Sequence, residues 1–397
     1  MIVIGENINF SEFSHVKLSA ISVVVPKNEI NIYDEAQYYG NDVRKIDRMR
    51  KMVGFWKRRV ATDDITPSDL AIGAAQKLFT ECNVDKNSID ELVFVHQKLN
   101  YLGPIDAYEI HHKLGLPDRC ICTSVLQGCA GWVWGIYLAS QLVQSGTVKR
   151  VLLLTGDTPS VGCDLSDRNT APIFGDAGSA TLVEYSDIER KSFFGIKTVS
   201  SGFDKIICPA GGCRLRYDFD LSPEDPFNKP LLETITSKAG YKTRLLRAQM
   251  DGGAIFEFTM NEVPSQIKEV LNFSNLTSDD ISKCCLHQAN KQIVQTVAMA
   301  ADFDLEKTPY GAFEKYGNNT MNSVPTVLSD LYSSNNNSFE SKPYLCSGFG
   351  NGLVIATAVL DLHDTVSTGV CDFEKPADFK NRDEWVAFWK AKVTGEA

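Results

Sequence analysis

Cys129 stands in the segment ICTSVLQGCAGWVWGI, where a β-type run ends at Gln127-Gly128 and a helix with small first residues begins. A cysteine at such a junction faces unpaired amide N–H groups and the positive end of a helix dipole. Both favour a thiolate, and the cysteine's own amide can face a developing oxyanion. A small residue that lets strand and helix pack closely would satisfy the same segment without any chemistry. Two further segments tip the balance. LHQANKQI puts His287 at the end of an apolar strand, and KYGNNTMNSVP puts Asn318 in a Gly-Asn turn ahead of a helix. A nucleophilic Cys, a His and an Asn on three element ends make an acyl-transfer set, provided the fold brings them together.

The elements that would have to do so alternate along the chain. Strands are predicted at 91–96, 119–125, 150–156 and 179–185, with helices over 68–83 and 129–146 between them, the first opened by a Pro-Ser pair suited to a helix start. The second part repeats the rhythm: a helix over 262–272, a strand KCCLH at 283–287, a helix over 289–302, then the strands YLCSGF and LVIATAVLDL. This alternation predicts a layered α/β protein. SIDELVFVHQ at 88–97 and DISKCCLHQ at 280–288 echo one another faintly, as an internal duplication would. Residues 186–260, rich in Gly, Pro and charge around ICPAGGCRLRYDFDLSPEDPFN, read as a long surface excursion of the kind that serves as a lid or binding element. The end of the chain, RDEWVAFWKAKV, reads as a short amphipathic helix, either docked on its own domain or in contact with a partner.

Composition narrows the function classes. The chain has 397 residues, 43% hydrophobic and 23% charged, with a net charge of −10. That is a globular composition, long enough for two or three units, and its acidity argues against a nucleic-acid partner. No run approaches the roughly 20 apolar residues of a membrane helix, and no signal peptide is expected, so the protein is expected in the cytoplasm. Its eleven cysteines are an odd number. Several, such as Cys284, Cys285 and Cys346, sit in apolar runs and read as reduced buried thiols. A zinc site from Cys284, Cys285 and His287 is disfavoured, because adjacent strand residues point to opposite faces and no Cys-x-x-Cys pair exists. His96, His111 and His112 read as packing or surface residues, and His15 and His363 lie outside the motifs.

The ordered set QGCAGW, FGDAGSA at 174–180, LHQAN, YGNN followed by Pro325, and GFGNG at 348–352 closely resembles the ketosynthase III group. These are the β-ketoacyl-acyl-carrier-protein synthase III enzymes of the thiolase superfamily, and the likeness covers roughly residues 15 to 362. It implies a five-layered αβαβα fold of two similar halves, here 1–185 and 186–364 with a tail at 365–397, and a homodimer. It implies that Cys129 takes an acyl group from a thioester, and that His287 and Asn318 assist decarboxylation of a malonyl or β-ketoacyl unit on a carrier protein. The carbanion then attacks the acyl-Cys129 thioester. A second oxyanion hole would use the amides of Cys129 and Asn351, and Arg168 matches an arginine that contacts the CoA nucleotide. Acyl-CoA and acyl-carrier protein are the implied partners, and no metal or redox cofactor is implied.

The chain also departs from that pattern. Asn319 stands where the family commonly has Thr, and Asn351 where a third Gly is usual, which bears on turn geometry. Positions that hold a Trp and an Arg in CoA-using members hold Arg48 and Met52 here. A carrier-docking arginine after the His-Gln-Ala-Asn motif is replaced by Gln292, with Lys291 beside it. The basic cluster from Arg44 to Arg59 reads equally as a solvated helix face or as a phosphate-binding surface. The changed CoA-binding positions, Asn319, Asn351 and the extra C-terminal tail favour a specialised pathway over housekeeping fatty-acid initiation. They also leave two other readings: acyl transfer to a hydroxyl or amine without condensation, and a non-catalytic partner subunit.

Overall fold

Two six-stranded mixed sheets carry the molecule, seen here in a computed structural model that describes residues 2–4, 8–62, 64–161, 163, 167, 171–237, 240 and 242–395. The strands are β1 Ile2–Ile4, β2 Asn9–Phe13, β3 Val16–Val25, β4 Glu91–His96, β5 Ile121–Leu126 and β6 Arg150–Asp157. They continue as β7 Ala177–Tyr185, β8 Ser192–Thr198, β9 Cys284–Leu286, β10 Tyr344–Gly350, β11 Val354–Leu360 and β12 Val366–Asp372. The first sheet runs β12-β3-β7-β6-β4-β5 and the second β1-β2-β8-β11-β10-β9.

Within them lies the duplication. In the first half β3 pairs antiparallel with β7, β7 antiparallel with β6, and β6 parallel with β4. In the second half β8 pairs antiparallel with β11, β11 antiparallel with β10, and β10 parallel with β9. The two stretches that echo one another in sequence contain β4 and β9, which hold the same place in this repeated order. Each sheet is extended from the other end of the chain. β2, near the N-terminus, joins the second sheet beside β8, and β12, inside the 365–397 tail, joins the first sheet beside β3.

The helices stack these sheets into five layers. α2 (Pro67–Glu81) and α3 (Asp106–Leu114) cover the outer side of the first sheet. α4 (Gly131–Gln144) and α8 (Ser323–Ser334) lie between the sheets and touch both, and α5 (Gly252–Ser274) and α6 (Lys291–Ala300) cover the outer side of the second. α4 is apolar nearly all round because most of its surface packs between the sheets, with one partly exposed stripe through Trp134, Tyr137, Leu138 and Gln141. Trp132, Val133, Ile136, Ala139 and Val143 are buried, and Trp134, Tyr137 and Leu138 are partly so. The one polar atom of the buried Trp132 ring, Nε1–H, donates to Thr181 Oγ1 at 3.0 Å.

No strand is predicted from sequence at β1, β2, β3 or β12, and two further stretches differ from the sequence reading. β8 is a regular strand inside 186–260, flanked on both sides by partner strands, so the surface excursion is narrower and runs from about 208 to 248. Alternation is weak in SFFGIKT because the strand is packed on both faces. α5 begins ten residues before the predicted start, capped by Asp251, whose side chain accepts from the Ala254 amide at 3.1 Å. The Gly252-Gly253 pair hides that first part of the helix from periodicity.

Candidate active site

Every predicted catalytic residue lies at an element end, and the fold brings those ends to one place. Cys129 sits two residues before α4, at the N-terminal end of the helix buried between the sheets. His287 follows β9 and is anchored by its amide, which donates to the Ser347 carbonyl of β10 at 2.8 Å. Asn318 follows α7 (Gly311–Tyr316) and forms an isolated bridge with Phe174, the first residue of the FGDAGSA motif. The bridge is held by the Asn318 amide on the Ile173 carbonyl at 2.8 Å and by the Gly175 amide on the Asn318 carbonyl at 3.2 Å. The two halves of the chain are thus clamped together at the site.

The GFGNG segment closes over the cysteine from β10. The Asn351 side chain presses on Gly128, where a β-carbon would fall 2.2 Å from its Oδ1, so a larger residue at 128 would displace the Asn351 side chain. The amides of Asn351 and Cys129 both donate toward the Cys129 sulfur. They form a two-amide nest like that inferred from sequence for the second oxyanion hole.

The electrostatics differ from the thiolate expected at a helix start. Cys129 keeps part of its surface open, yet it is so enclosed that burial pushes its thiol up to about 12, with the negative charge of Asp157 adding to the rise. The two amides pull the other way and do not overcome it. His287 is buried, and desolvation holds its imidazole down at about 4, against a weak opposing pull from the Thr320 carbonyl. Its Nδ1 has no regular hydrogen-bond partner. The ring is therefore neutral near pH 7, a form that can donate or accept a hydrogen bond but carries no charge. Asn318 is oriented by the Thr320 amide, which donates to its Oδ1 at 2.9 Å. That bond commits the carbonyl side of the amide and leaves Nδ2, which makes no hydrogen bond to the described residues, as the donor side.

Outside this centre the sequence-predicted residues scatter. Arg168 lies outside the described residues. Within the Arg44–Arg59 cluster, Arg58 is buried in a two-bond ion pair with Glu35 at 2.7 and 2.6 Å, and Arg59 bonds the Pro26 carbonyl and Asp372. Arg48 and Met52 stay exposed on α1 (Val43–Val53), and Arg50 covers the Trp56 ring at 4.1 Å. Lys291 lies over the Tyr310 ring at 4.6 Å. Among the described residues, no group of three or more His, Cys, Asp and Glu side chains is placed to hold a metal ion. A cavity of about 680 Å³ lies away from Cys129, beside the C-terminal helix α9 (Arg382–Thr394), where Trp389 meets the Tyr101 ring edge-on and Lys113 of α3 lies over the Trp385 ring. Sequence reading missed Asp157. Its signal was its place, the last residue of an apolar strand on the same sheet edge as Gln127.

The chain is similar to known proteins along most of its length. Residues 124–202 match the family described as 3-oxoacyl-[acyl-carrier-protein] synthase III, and residues 271–362 match its C-terminal part. A Campylobacter jejuni protein carrying the name 3-oxoacyl-[acyl-carrier-protein] synthase 3 is 34% identical over 367 residues, covering 92% of this chain and 99% of that protein. A β-ketoacyl-[acyl-carrier-protein] synthase III of Streptococcus suis is 29% identical over 350 residues, covering 88% and 99%. Among solved structures, a 3-oxoacyl-(acyl-carrier protein) synthase from Burkholderia xenovorans superimposes with a TM-score of 0.80 at 27% identity, covering 91% of this chain and 98% of that one.

Proposed function

The chain belongs to the 3-oxoacyl-[acyl-carrier-protein] synthase III family of the thiolase superfamily, and from that premise we propose how its site works. It is an acyltransferase that loads an acyl group on a cysteine and condenses it with a malonyl unit on a carrier protein, in fatty-acid or polyketide biosynthesis. Cys129 is the nucleophile. Its sulfur attacks the carbonyl carbon of an acyl thioester, a new C–S bond forms, and the donor thiol leaves with the proton that Cys129 gave up. The amides of Cys129 and Asn351 receive the negative oxygen of the tetrahedral intermediate.

In the second step His287 and Asn318 donate to the thioester oxygen of the malonyl unit. The bond to its carboxylate breaks, carbon dioxide leaves, and the electron pair rests on an enolate held by these two donors. The enolate carbon attacks the acyl-Cys129 carbonyl, a C–C bond forms, and the Cys129 sulfur departs and is reprotonated. Every atom and electron is accounted for by the two thioesters and one proton, so the sequence of steps calls on no metal or redox cofactor. Arg168 is assigned to the nucleotide of a CoA donor on its motif alone.

The observation that carries this reading is the separation of charge roles: a neutral buried imidazole and an oriented amide on one side, and a two-amide nest at the sulfur on the other. Intact-protein mass spectrometry with acyl-CoA and acyl-carrier-protein donors, followed by malonyl-carrier protein, tests it. An adduct on wild type but not on Cys129→Ala, discharged by malonyl-carrier protein with release of carbon dioxide, is the expected result. Discharge only by alcohols or amines would favour non-condensing acyl transfer, and no adduct with any donor would favour a non-catalytic subunit.

We divide the chain into halves 1–185 and 186–364 with a tail at 365–397, a division supported by the repeated strand order. A homodimer is supported by the edge strand β5, which shows Ile121 and Leu126 half or more exposed beside an unpaired backbone edge. No helix among the described residues is long and apolar enough to cross a membrane. We place the enzyme in the cytoplasm, where its thioester substrates and reduced thiols belong.

A further inference from the structure

We propose that Asp157 is the positioning residue that holds the two donor sets of the site, the Cys129–Asn351 side and the His287–Asn318 side, in register with one another. The inference rests on the catalytic reading above and deepens it. Asp157 ends β6 and is 1% exposed, and neither half-reaction as written above uses it.

One carboxylate oxygen makes both connections. Asp157 Oδ2 accepts from Thr320 Oγ1 at 2.7 Å and from Gln97 Nε2 at 2.7 Å. Thr320 leads to the decarboxylation side: its amide orients Asn318, and its carbonyl stands beside the His287 ring. Gln97 leads to the acylation side. Its Oε1 accepts from Asn351 Nδ2 at 3.2 Å, and the Asn351 amide donates to the Cys129 sulfur. The two turns, 318–320 and 350–352, have no strand pairing between them; the Asp157 path joins them directly, while each is also fixed elsewhere, the first by the Asn318–Phe174 bridge and the second by Gly350 against Cys129. Asn351, a departure from the usual glycine of the motif, supplies one link of it.

The choice of a charged group follows from the same geometry. Burial raises the pKa of this carboxyl, and the Lys98 charge and the two donors converging on one oxygen pull it back toward the ionised form, to which hydrogen bonds are shorter and stronger than to a neutral acceptor. The other oxygen, Oδ1, is buried without a regular hydrogen-bond partner, although the Thr158 amide also bears on the carboxylate. The titratable and charged groups that act on or feel this carboxylate are Lys98, Cys129 and Asp176. Lys98 follows Gln97 directly, and its Nζ is fixed by the Thr158 and Val161 carbonyls, so its positive charge partly balances the buried carboxylate.

Four variants of the full chain test the proposal: Thr320→Val, Gln97→Leu, Asp157→Ala and Asp157→Asn. Three readouts are taken: acylation of Cys129 by intact mass, carbon dioxide release from a malonyl thioester, and iodoacetamide alkylation of Cys129 from about pH 6 to pH 10. Thermal melting confirms folding. The expected pattern is divided. Thr320→Val slows decarboxylation about tenfold or more and leaves acylation within about threefold, while Gln97→Leu does the reverse. Asp157→Ala slows both. Asp157→Asn keeps a carbonyl oxygen for the two donors, recovers most of both rates, and moves the alkylation profile to lower pH because the charge beside the thiol is gone.

Wild-type rates in a folded Asp157→Ala protein, or equal slowing of both half-reactions by each single-arm variant, would overturn the positioning role. Should Asp157→Ala fail to fold, the two single-arm variants decide. A wild-type enzyme inactive in both half-reactions would instead overturn the proposed function. The alkylation readout needs no substrate, and an unchanged Cys129 rate in Gln97→Leu would then still count against Asp157.

Discussion

Gly350 lies against Cys129 with no room for a side chain: a β-carbon at position 350 would sit 2.8 Å from Cys129 Cβ and 3.0 Å from its sulfur. The strand that donates the Asn351 amide therefore sets where the sulfur can be. Gly350→Ala is expected to push the thiol aside and slow acylation by about a hundredfold, the scale of a displacement near 1 Å. Destabilisation by overpacking should stay near 1–3 kcal/mol. Time-resolved intact mass and calorimetry measure the two effects, and unchanged acylation would mean that the turn relaxes without moving the sulfur.

Loss of each site residue should separate the half-reactions. Cys129→Ala removes the adduct entirely, while His287→Ala and Asn318→Ala still accept the acyl group. Removing one preorganised donor to a developing oxyanion costs about a hundredfold or more, so each of these two variants should lose decarboxylation by that factor. Decarboxylation at the wild-type rate in His287→Ala would overturn its assignment.

The pH dependence of stability should carry the signature of a buried neutral imidazole. His287 titrates at about 4 in the folded protein against an ordinary value of 6.5, so the unfolded chain binds a proton that the native state refuses. Its contribution is fully present above about pH 6.5 and is lost as pH falls toward 4. Asp176, pushed up to about 6 by burial, contributes in the opposite sense over an overlapping range. The difference between wild type and His287→Ala in denaturant titrations isolates the histidine. That difference should grow as pH rises from about 4 to 6.5, and a flat difference would mean the ring is not buried neutral.

Thiol reactivity should rank by exposure rather than by function. Cys208 and Cys213 are exposed, whereas the Cys129 thiol is held up at about 12. Iodoacetamide at neutral pH is expected to label Cys208 and Cys213 well before Cys129, with peptide mass spectrometry as the readout. Early labelling of Cys129 would show that the two amides outweigh burial and the Asp157 charge.

Self-association should run through β5. Leu126→Lys, at a position 65% exposed on this edge strand, is expected to shift a dimer toward monomer in sedimentation velocity, with little change in melting of the single chain. A wild-type monomer, or a dimer untouched by this charge, would place the interface elsewhere.

Sequence by itself determined the local parts. Apolar runs bounded by turns specified most of the strands, and small residues around Cys129, the His-Gln-Ala-Asn stretch and the Gly-Asn turn marked the three site residues. These are legible because chemistry at an element end needs a particular residue at a particular junction. The echo between 88–97 and 280–288 also pointed to two strands that hold equivalent places in the repeated order.

Tertiary structure decided everything that depends on distance. β2 and β12 cross to the sheets of the opposite halves, and no periodicity within seven residues can state which sheet a strand will join. The protonation states followed the same rule: a helix start argues for a thiolate, yet enclosure and the carboxylate of Asp157, 28 residues away in sequence, outweigh it. Gln97, Asp157, Thr320 and Asn351 are each unremarkable in their own segments. Only when four element ends converge does one buried oxygen find two donors, because desolvation and hydrogen bonding are properties of surroundings rather than of spacing.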